Sequence, residues 1–224
     1  MMLDPKTQFE TRFTHAHYLG FDQLAALEPM LRGMKLLGTD EFIIGTEKPG
    51  EGNMNFVVRV TTDRRSLILK QSRPWVEKYP QIAAPIERVA AEAAYYQLIS
   101  QVADLRSLSP ALLGYDAQNF VIVFEDLGAG SDYAFIYQSG QAIVADEARE
   151  LLHYLSVLHR TAPNAHGEPF PSNLPLRRLN HEHIFNFPFQ PNNGFDLDAI
   201  AGNHLPLPLA ELRTRLLGHA PELA

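Results

Sequence analysis

The chain has no cysteine in its 224 residues and only one tryptophan. The missing thiols exclude disulfide staples, thiolate zinc sites and a cysteine nucleophile, and they fit a reducing compartment. Nowhere do about 18 apolar residues run together, so no membrane-spanning helix is expected. The opening Met1-Met2-Leu3-Asp4-Pro5-Lys6 lacks a basic stretch followed by an apolar one, so no signal peptide is expected and the anticipated setting is cytoplasmic. Positive charge is in deficit, with 19 basic against 26 acidic residues and a net charge of -7. That balance argues against nucleic acid or an anionic membrane as partner. Internal repeats, low-complexity tracts and a Gly-x-Ser-x-Gly elbow are also lacking, which removes solenoids and serine hydrolases of the α/β type. What is there, 46% apolar and 20% charged residues, is the composition of a globular chain with a substantial core.

The hydrophobic pattern predicts an α+β organisation. Phe21, Leu24, Leu27 and Leu31 recur at helical spacing, with Gly33 as a stop. Three strands are expected over 42–46, 55–61 and 67–71, the first two separated by Pro49-Gly50-Glu51-Gly52-Asn53. Pro74 to Pro80 reads as a loop, and Pro85 as the first residue of a helix whose apolar stripe is Ile86, Val89, Ala93 and Tyr96. Two further strands, 111–115 and 120–124, flank the turn Asp116-Ala117-Gln118-Asn119. A helix from Asp146 to Arg160 carries Ala148, Leu151, Leu155 and Leu158 on one face. The stretch from Ala162 to Pro208 shows no sustained period and reads as a lid or binding loop, followed by a helix over 209–217.

Chemistry concentrates in the strands. A glycine-rich loop between two paired strands differs from a dinucleotide or Walker loop, which opens a helix. Its glycines would let the hairpin lie over a phosphate chain and present backbone N–H groups, although two glycines in a hairpin also make an ordinary turn. Lys70 interrupts an apolar strand, and a buried ammonium needs a partner. Glu92, among small residues in Arg88-Val89-Ala90-Ala91-Glu92-Ala93-Ala94, is the acid the next helix offers. Alternatively Lys70 snorkels at a sheet edge and Glu92 pairs in solvent with Arg88, four residues before it. His15-x-His17 and His181-x-His183 lack a third spaced ligand and read as polar loop histidines. The loop around Trp75 is either a substrate-side flap or packing.

The ordered set of hairpin loop, strand lysine, helix glutamate and two more strands resembles the N-terminal lobe of the protein-kinase-like fold, in its small-molecule branch of aminoglycoside phosphotransferases and methylthioribose kinases. The resemblance rests on Gly50-Glu51-Gly52-Asn53-Met54-Asn55-Phe56-Val57, Leu67-Ile68-Leu69-Lys70-Gln71, Glu92 and Val123-Phe124-Glu125-Asp126-Leu127. Softer likenesses are Leu155 to Arg160 and the insertion-like Leu179 to Phe185. It implies a five-stranded antiparallel N-lobe with one key helix (1–124), a hinge (125–130) and an incomplete helical C-lobe (131–224). It also implies ATP as ligand, with Gly50, Gly52, Asn53 and Asn55 over the phosphates and Lys70 on them, steadied by Glu92. Phe124 would wall the adenine pocket, and the backbones of Glu125 and Leu127 would pair with the base.

The chain departs from that family in one respect. The His-Gly-Asp loop that supplies a base and leads to the Mg²⁺ ligands is missing, and no catalytic residue is assigned. His166-Gly167-Glu168-Pro169-Phe170-Pro171-Ser172-Asn173 imitates its spacing with Glu in place of Asp, and it precedes the insertion-like motif where the family's loop follows it. The expectation is therefore an incomplete small-molecule kinase with a hydroxyl-bearing acceptor, binding ATP weakly for want of Mg²⁺ ligands and turning over little. The alternative is a catalytically empty kinase-like binding or dimerisation module. Apolar helix faces around 151–158 and 209–217 lead to an expected homodimer.

Overall fold

A computed structural model describes residues 4–22, 24–50, 52–130, 132–138, 140–161, 172–190, 193–194, 211–212, 214–215 and 218. The chain divides into two compact units, Met1–Ser172 and Asn173–Ala224. The fold is α+β, built on a five-stranded antiparallel sheet.

The first unit opens with a helix that the hydrophobic pattern did not announce, α1 (Pro5–Arg12). Asp4 caps it by accepting from the Thr7 N–H at 3.1 Å, and proline takes the first helical position, where no N–H is needed. The next helix, α2 (Leu27–Gly33), starts later than the periodicity from Phe21 suggested. Pro29 fixes that start, because a residue without an N–H fits only within the first turn. Phe21 is left outside, half-exposed and edge-on to Phe56 at 5.1 Å.

Strands β1 (Ile43–Glu47), β2 (Asn55–Thr62) and β3 (Ser66–Ser72) form a meander. The expected loop at 74–80 instead holds a small hairpin, β4 (Trp75–Val76) with β5 (Tyr79–Ala83). Trp75 is a core residue there, packed with Phe9, Ala16 and Ile86. Helix α3 runs from Arg88 to Ile99, three residues after Pro85, since Ile86 and Glu87 form a turn whose carbonyls accept from Val89 and Ala90. A short helix α4 (Ala103–Arg106) follows, then β6 (Leu112–Asp116) and β7 (Val121–Glu125). The sheet order is β1-β2-β3-β7-β6, so β3 is central. Helix α5 (Ala145–Thr161) completes the described elements of this unit's second half, after a 3₁₀ turn at Tyr133–Tyr137.

Strand alternation sorts the two faces. Phe56, Val58, Val60, Leu67, Leu69, Val121 and Val123 meet Leu19, α2 and Leu36–Leu37 in the main core. On the other face Ile122 and Phe124 pack against Val89 and Ala93 of α3, with Tyr96 alongside. Two kinds of face thus follow from a period of two.

In the second unit, α6 (Leu174–His181) runs into a π-helical turn (Glu182–Asn186) and a 3₁₀ turn (Phe187–Phe189). This replaces part of the irregular segment expected from Ala162 to Pro208. His181 and His183 are accordingly helical and not loop histidines. Of the helix expected over 209–217, residues 211, 212, 214 and 215 are helical and the others lie outside the described residues. Among the described residues no helix is long and apolar enough to cross a membrane.

Candidate functional site

Lys70 sits in the central strand, opposite Val57 of β2 and Ile122 of β7. It is therefore not an edge lysine. Its side chain rises on the α3 face, where Nζ donates to Glu92 Oε1 at 3.0 Å and lies 4.9 Å from the centre of the Phe124 ring. Tyr96, one turn beyond Glu92, stacks on the same ring at 4.5 Å. Both charged side chains keep somewhat over a quarter of their surface exposed, 29% and 28%. An ion pair that open to water contributes about 1 kcal/mol or less to stability. Stability therefore gives little reason for a lysine at the centre of a sheet; the arrangement is a partly exposed ammonium held by a carboxylate between the sheet and α3.

The hairpin connecting β1 to β2 stands at one end of that face. Gly50 and Gly52 are exposed, and neither has a φ in the left-handed region. Backbone conformation thus does not require them. A Cβ at Gly50 would meet nothing within 4 Å, and one at Gly52 only ordinary contacts, so the glycines leave open space beside the chain. Both line a cleft of about 450 Å³, together with Asn55, Val57, Lys48 and Lys78. Tyr18, Phe21 and Phe56 line it too, as do the acids Asp22 and Glu77. Such a volume suits a small ligand. Lys70 and Glu92 do not line this cleft; Val57, which does, is the cross-strand neighbour of Lys70.

The stem of the hairpin is fastened. The Asn53 carbonyl accepts from the Lys78 N–H at 3.0 Å. Arg88, which the sequence offered only as a solvent partner for Glu92, is buried and bonds other groups, although the Glu92 charge still reaches it. Its guanidinium donates to the Met54 carbonyl at 2.6 Å and to Asn55 Oδ1 at 2.7 Å, so the Asn55 carboxamide oxygen is engaged by the chain itself. It also donates to the carbonyls of Arg73 at 2.7 Å and Pro85 at 2.6 Å. Burial pushes its pKa down to about 10, which leaves it charged at neutral pH.

At the other end of the sheet, the 125–130 segment leaves β7. The Glu125 N–H donates to the Ala111 carbonyl at 3.0 Å, and its carboxylate accepts from the Ala111 N–H at 2.8 Å. Leu127 is exposed. Asp126 is the anchor of this segment: Arg59 of β2 donates to both its oxygens, at 2.7 and 3.3 Å, and the Gly128 N–H donates to Oδ1 at 2.9 Å. Gly128, at φ +79°, makes the turn that a side chain would strain. Arg59 had no role in the sequence analysis, and Arg88 only that of a surface pair. The signal for Arg59 was its position on the Lys70 face of an alternating strand.

Among the described residues no group of three acid or histidine side chains converges as a metal site. The loop-like stretch 166–171 and Glu51 lie outside the described residues. The insertion-like residues 179–185 span the end of α6 and the π turn. The chain matches no protein-family profile and no curated protein.

Proposed function

We propose that residues 1–124, within the first unit, are the nucleotide-binding lobe of a protein-kinase-like phosphotransferase of the small-molecule branch, with ATP as ligand and a hydroxyl-bearing small molecule as the family-level acceptor. The observation that carries this is the Lys70–Glu92 pair, set in the central strand on the face shared with Phe124. An ammonium held by a carboxylate has the charge to meet α- and β-phosphates, while the open side of Gly50 and Gly52 admits a phosphate chain without steric penalty. Ile68, partly exposed opposite Phe124, is the apolar side chain this face offers a base, while Phe124 itself lies buried beneath α3 and would support such a pocket from below, not line it.

Mg²⁺ fits less well. The described residues offer no converging acid cluster, and the sequence has no His-Gly-Asp, so the proposed activity is nucleotide binding with little or no turnover. Calorimetric titration of the full chain with ATP tests it. Binding in the wild type and its loss in Lys70→Ala is the expected outcome; a wild type that takes up no ATP overturns the reading.

A second reading, a kinase-like module that dimerises, has its own observation. Leu151, Leu152 and Leu155 of α5 are 39%, 65% and 49% exposed, with Val144 just before them at 59%. Sedimentation equilibrium is expected to show a dimer that Leu152→Glu with Leu155→Glu dissociates. A wild-type monomer at high concentration removes this reading.

A further inference from the structure

Arg88 is a buried cation that makes all its described hydrogen bonds to uncharged oxygens: three backbone carbonyls and one side-chain amide. No carboxylate bonds the guanidinium, and the nearby charges of Glu92, Glu77 and Glu87 offset its burial only in part, so its place calls for a reason beyond stability. Its four acceptors belong to three separate segments, namely the hairpin stem at Met54–Asn55, the end of β3 at Arg73, and the turn leading into α3 at Pro85. Glu92 lies one turn further along the same helix, on Lys70. No other side chain among the described hydrogen bonds joins the hairpin stem to α3. The glycine side of the hairpin is open, while its stem is held at three successive residues, 53 to 55.

We infer that Arg88 is a positioning residue that couples the glycine hairpin to the Lys70–Glu92 pair, so that the height of the hairpin over the sheet and the hold of Glu92 on Lys70 change together. The two fixed points of a phosphate site, a backbone cover and an ammonium, are then set by one side chain. This rests on the nucleotide reading for its purpose but not for its mechanics. If the stem lifts, Arg88 loses its Met54 and Asn55 acceptors and keeps those at Arg73 and Pro85, so the first turn of α3 shifts against the sheet and takes Glu92, one turn on, away from the lysine.

The test uses the full chain without nucleotide. Hydrogen exchange reports the hairpin, and the rate at which acetic anhydride acylates Lys70 Nζ reports the ion pair. In Arg88→Gln the amides of 52–57 are expected to exchange about tenfold faster, and Lys70 to be acylated faster than in the wild type. Arg88→Lys, which keeps the charge and reaches fewer acceptors, should return both part of the way. A merely structural arginine would loosen the hairpin and leave Lys70 acylation at the wild-type rate, and that result overturns the inference. Emission from the buried Trp75 shows whether each variant folds. Should Arg88→Gln not fold, Asn55→Ala removes a single acceptor, and unchanged exchange and acylation there count equally against it. A wild type that ignores ATP sinks the nucleotide reading, and the coupling is then decided by these two measurements alone.

Discussion

Lys70 and Gln71 are neighbours on β3 and point to opposite faces, one partly exposed in an ion pair and the other fully buried in a hydrogen-bond network. Gln71 is fully buried. Its Oε1 accepts from the Leu19 N–H at 2.9 Å and from the Arg73 guanidinium, while Nε2 donates to the carbonyls of His17 at 2.7 Å and Asn119 at 2.9 Å. Arg73, stacked on Tyr18 at 4.0 Å, adds a bond to the Leu19 carbonyl. Replacing Gln71 with Met keeps the volume and strands several buried donors and acceptors, at about 1–3 kcal/mol each where water cannot enter. Urea denaturation of Gln71→Met should therefore show a loss of about 3 kcal/mol or more, with the segment before α2 becoming open to proteolysis. Lys70→Ala should cost about 1 kcal/mol or less in the same assay, while abolishing ATP binding. Alternation in the sequence placed both residues, and the apolar setting of Lys70 made it conspicuous. Little local distinguished Gln71, because all its partners except the Arg73 side chain are backbone groups some 50 residues away in the chain.

At the scale of elements, the sheet was legible because β2, β3 and β7 each have a partner on either side that enforces their period, and β2 and β3 pair without a bulge. Misreadings occurred where a proline or a distant contact sets the boundary. Pro29 holds the start of α2 to Leu27, and the Asp4-Pro5 pair that begins α1 was a visible signal left unused. The β4–β5 hairpin was hidden by prolines at 74 and 80 and by a first strand of two residues, stabilised through the Ala84 N–H on the Pro74 carbonyl at 3.0 Å. For the site, the Lys70–Glu92 pair followed from residue types in order. The Arg88 latch did not, since an arginine four residues before a glutamate on a helix ordinarily suggests a surface pair. Gly114 of β6 shows a further constraint of packing. A Cβ there would come within 2.9 Å of Leu36 Cδ1 and 3.1 Å of Met34 Sδ. Both are ends of flexible side chains, so Gly114→Ala is expected to fold with a loss of about 1 kcal/mol, and Gly114→Val, which adds two more methyls, to lose more. Equal stability of the two variants in thermal unfolding would show that this side of the sheet has room to spare.

Carboxylates held below their ordinary pKa shape how the molecule as a whole responds to acid. Burial alone would raise the pKa of Asp126, but hydrogen bonds from Ser66, Arg59 and the Gly128 N–H, with the charge of Arg59, outweigh it and leave it lowered. Glu41 is lowered by the Gly38 N–H and the Thr62 hydroxyl, against burial, with Arg65 adding to the effect. Asp4 is lowered chiefly by the Thr7 hydroxyl and N–H. These three acids lie at different places: the segment after β7, the approach to β1, and the cap of α1. A group whose folded pKa is depressed takes up its proton more readily in the unfolded chain. Its contribution is therefore complete above the unfolded value, about 4 for such acids, and is lost as the pH falls through the lower folded value. The stability these three acids contribute should accordingly be constant through neutrality and decline below about pH 4. Asp126→Asn separates the local part of this effect from the rest. It removes the charge that Arg59 grips, so it should be less stable than the wild type at pH 7, and the gap should narrow as the wild-type carboxylate is protonated. Urea midpoints of the two proteins measured down the pH scale give the comparison; a gap that stays constant into acid would mean that Arg59 and Gly128 hold Asp126 by shape and not by charge.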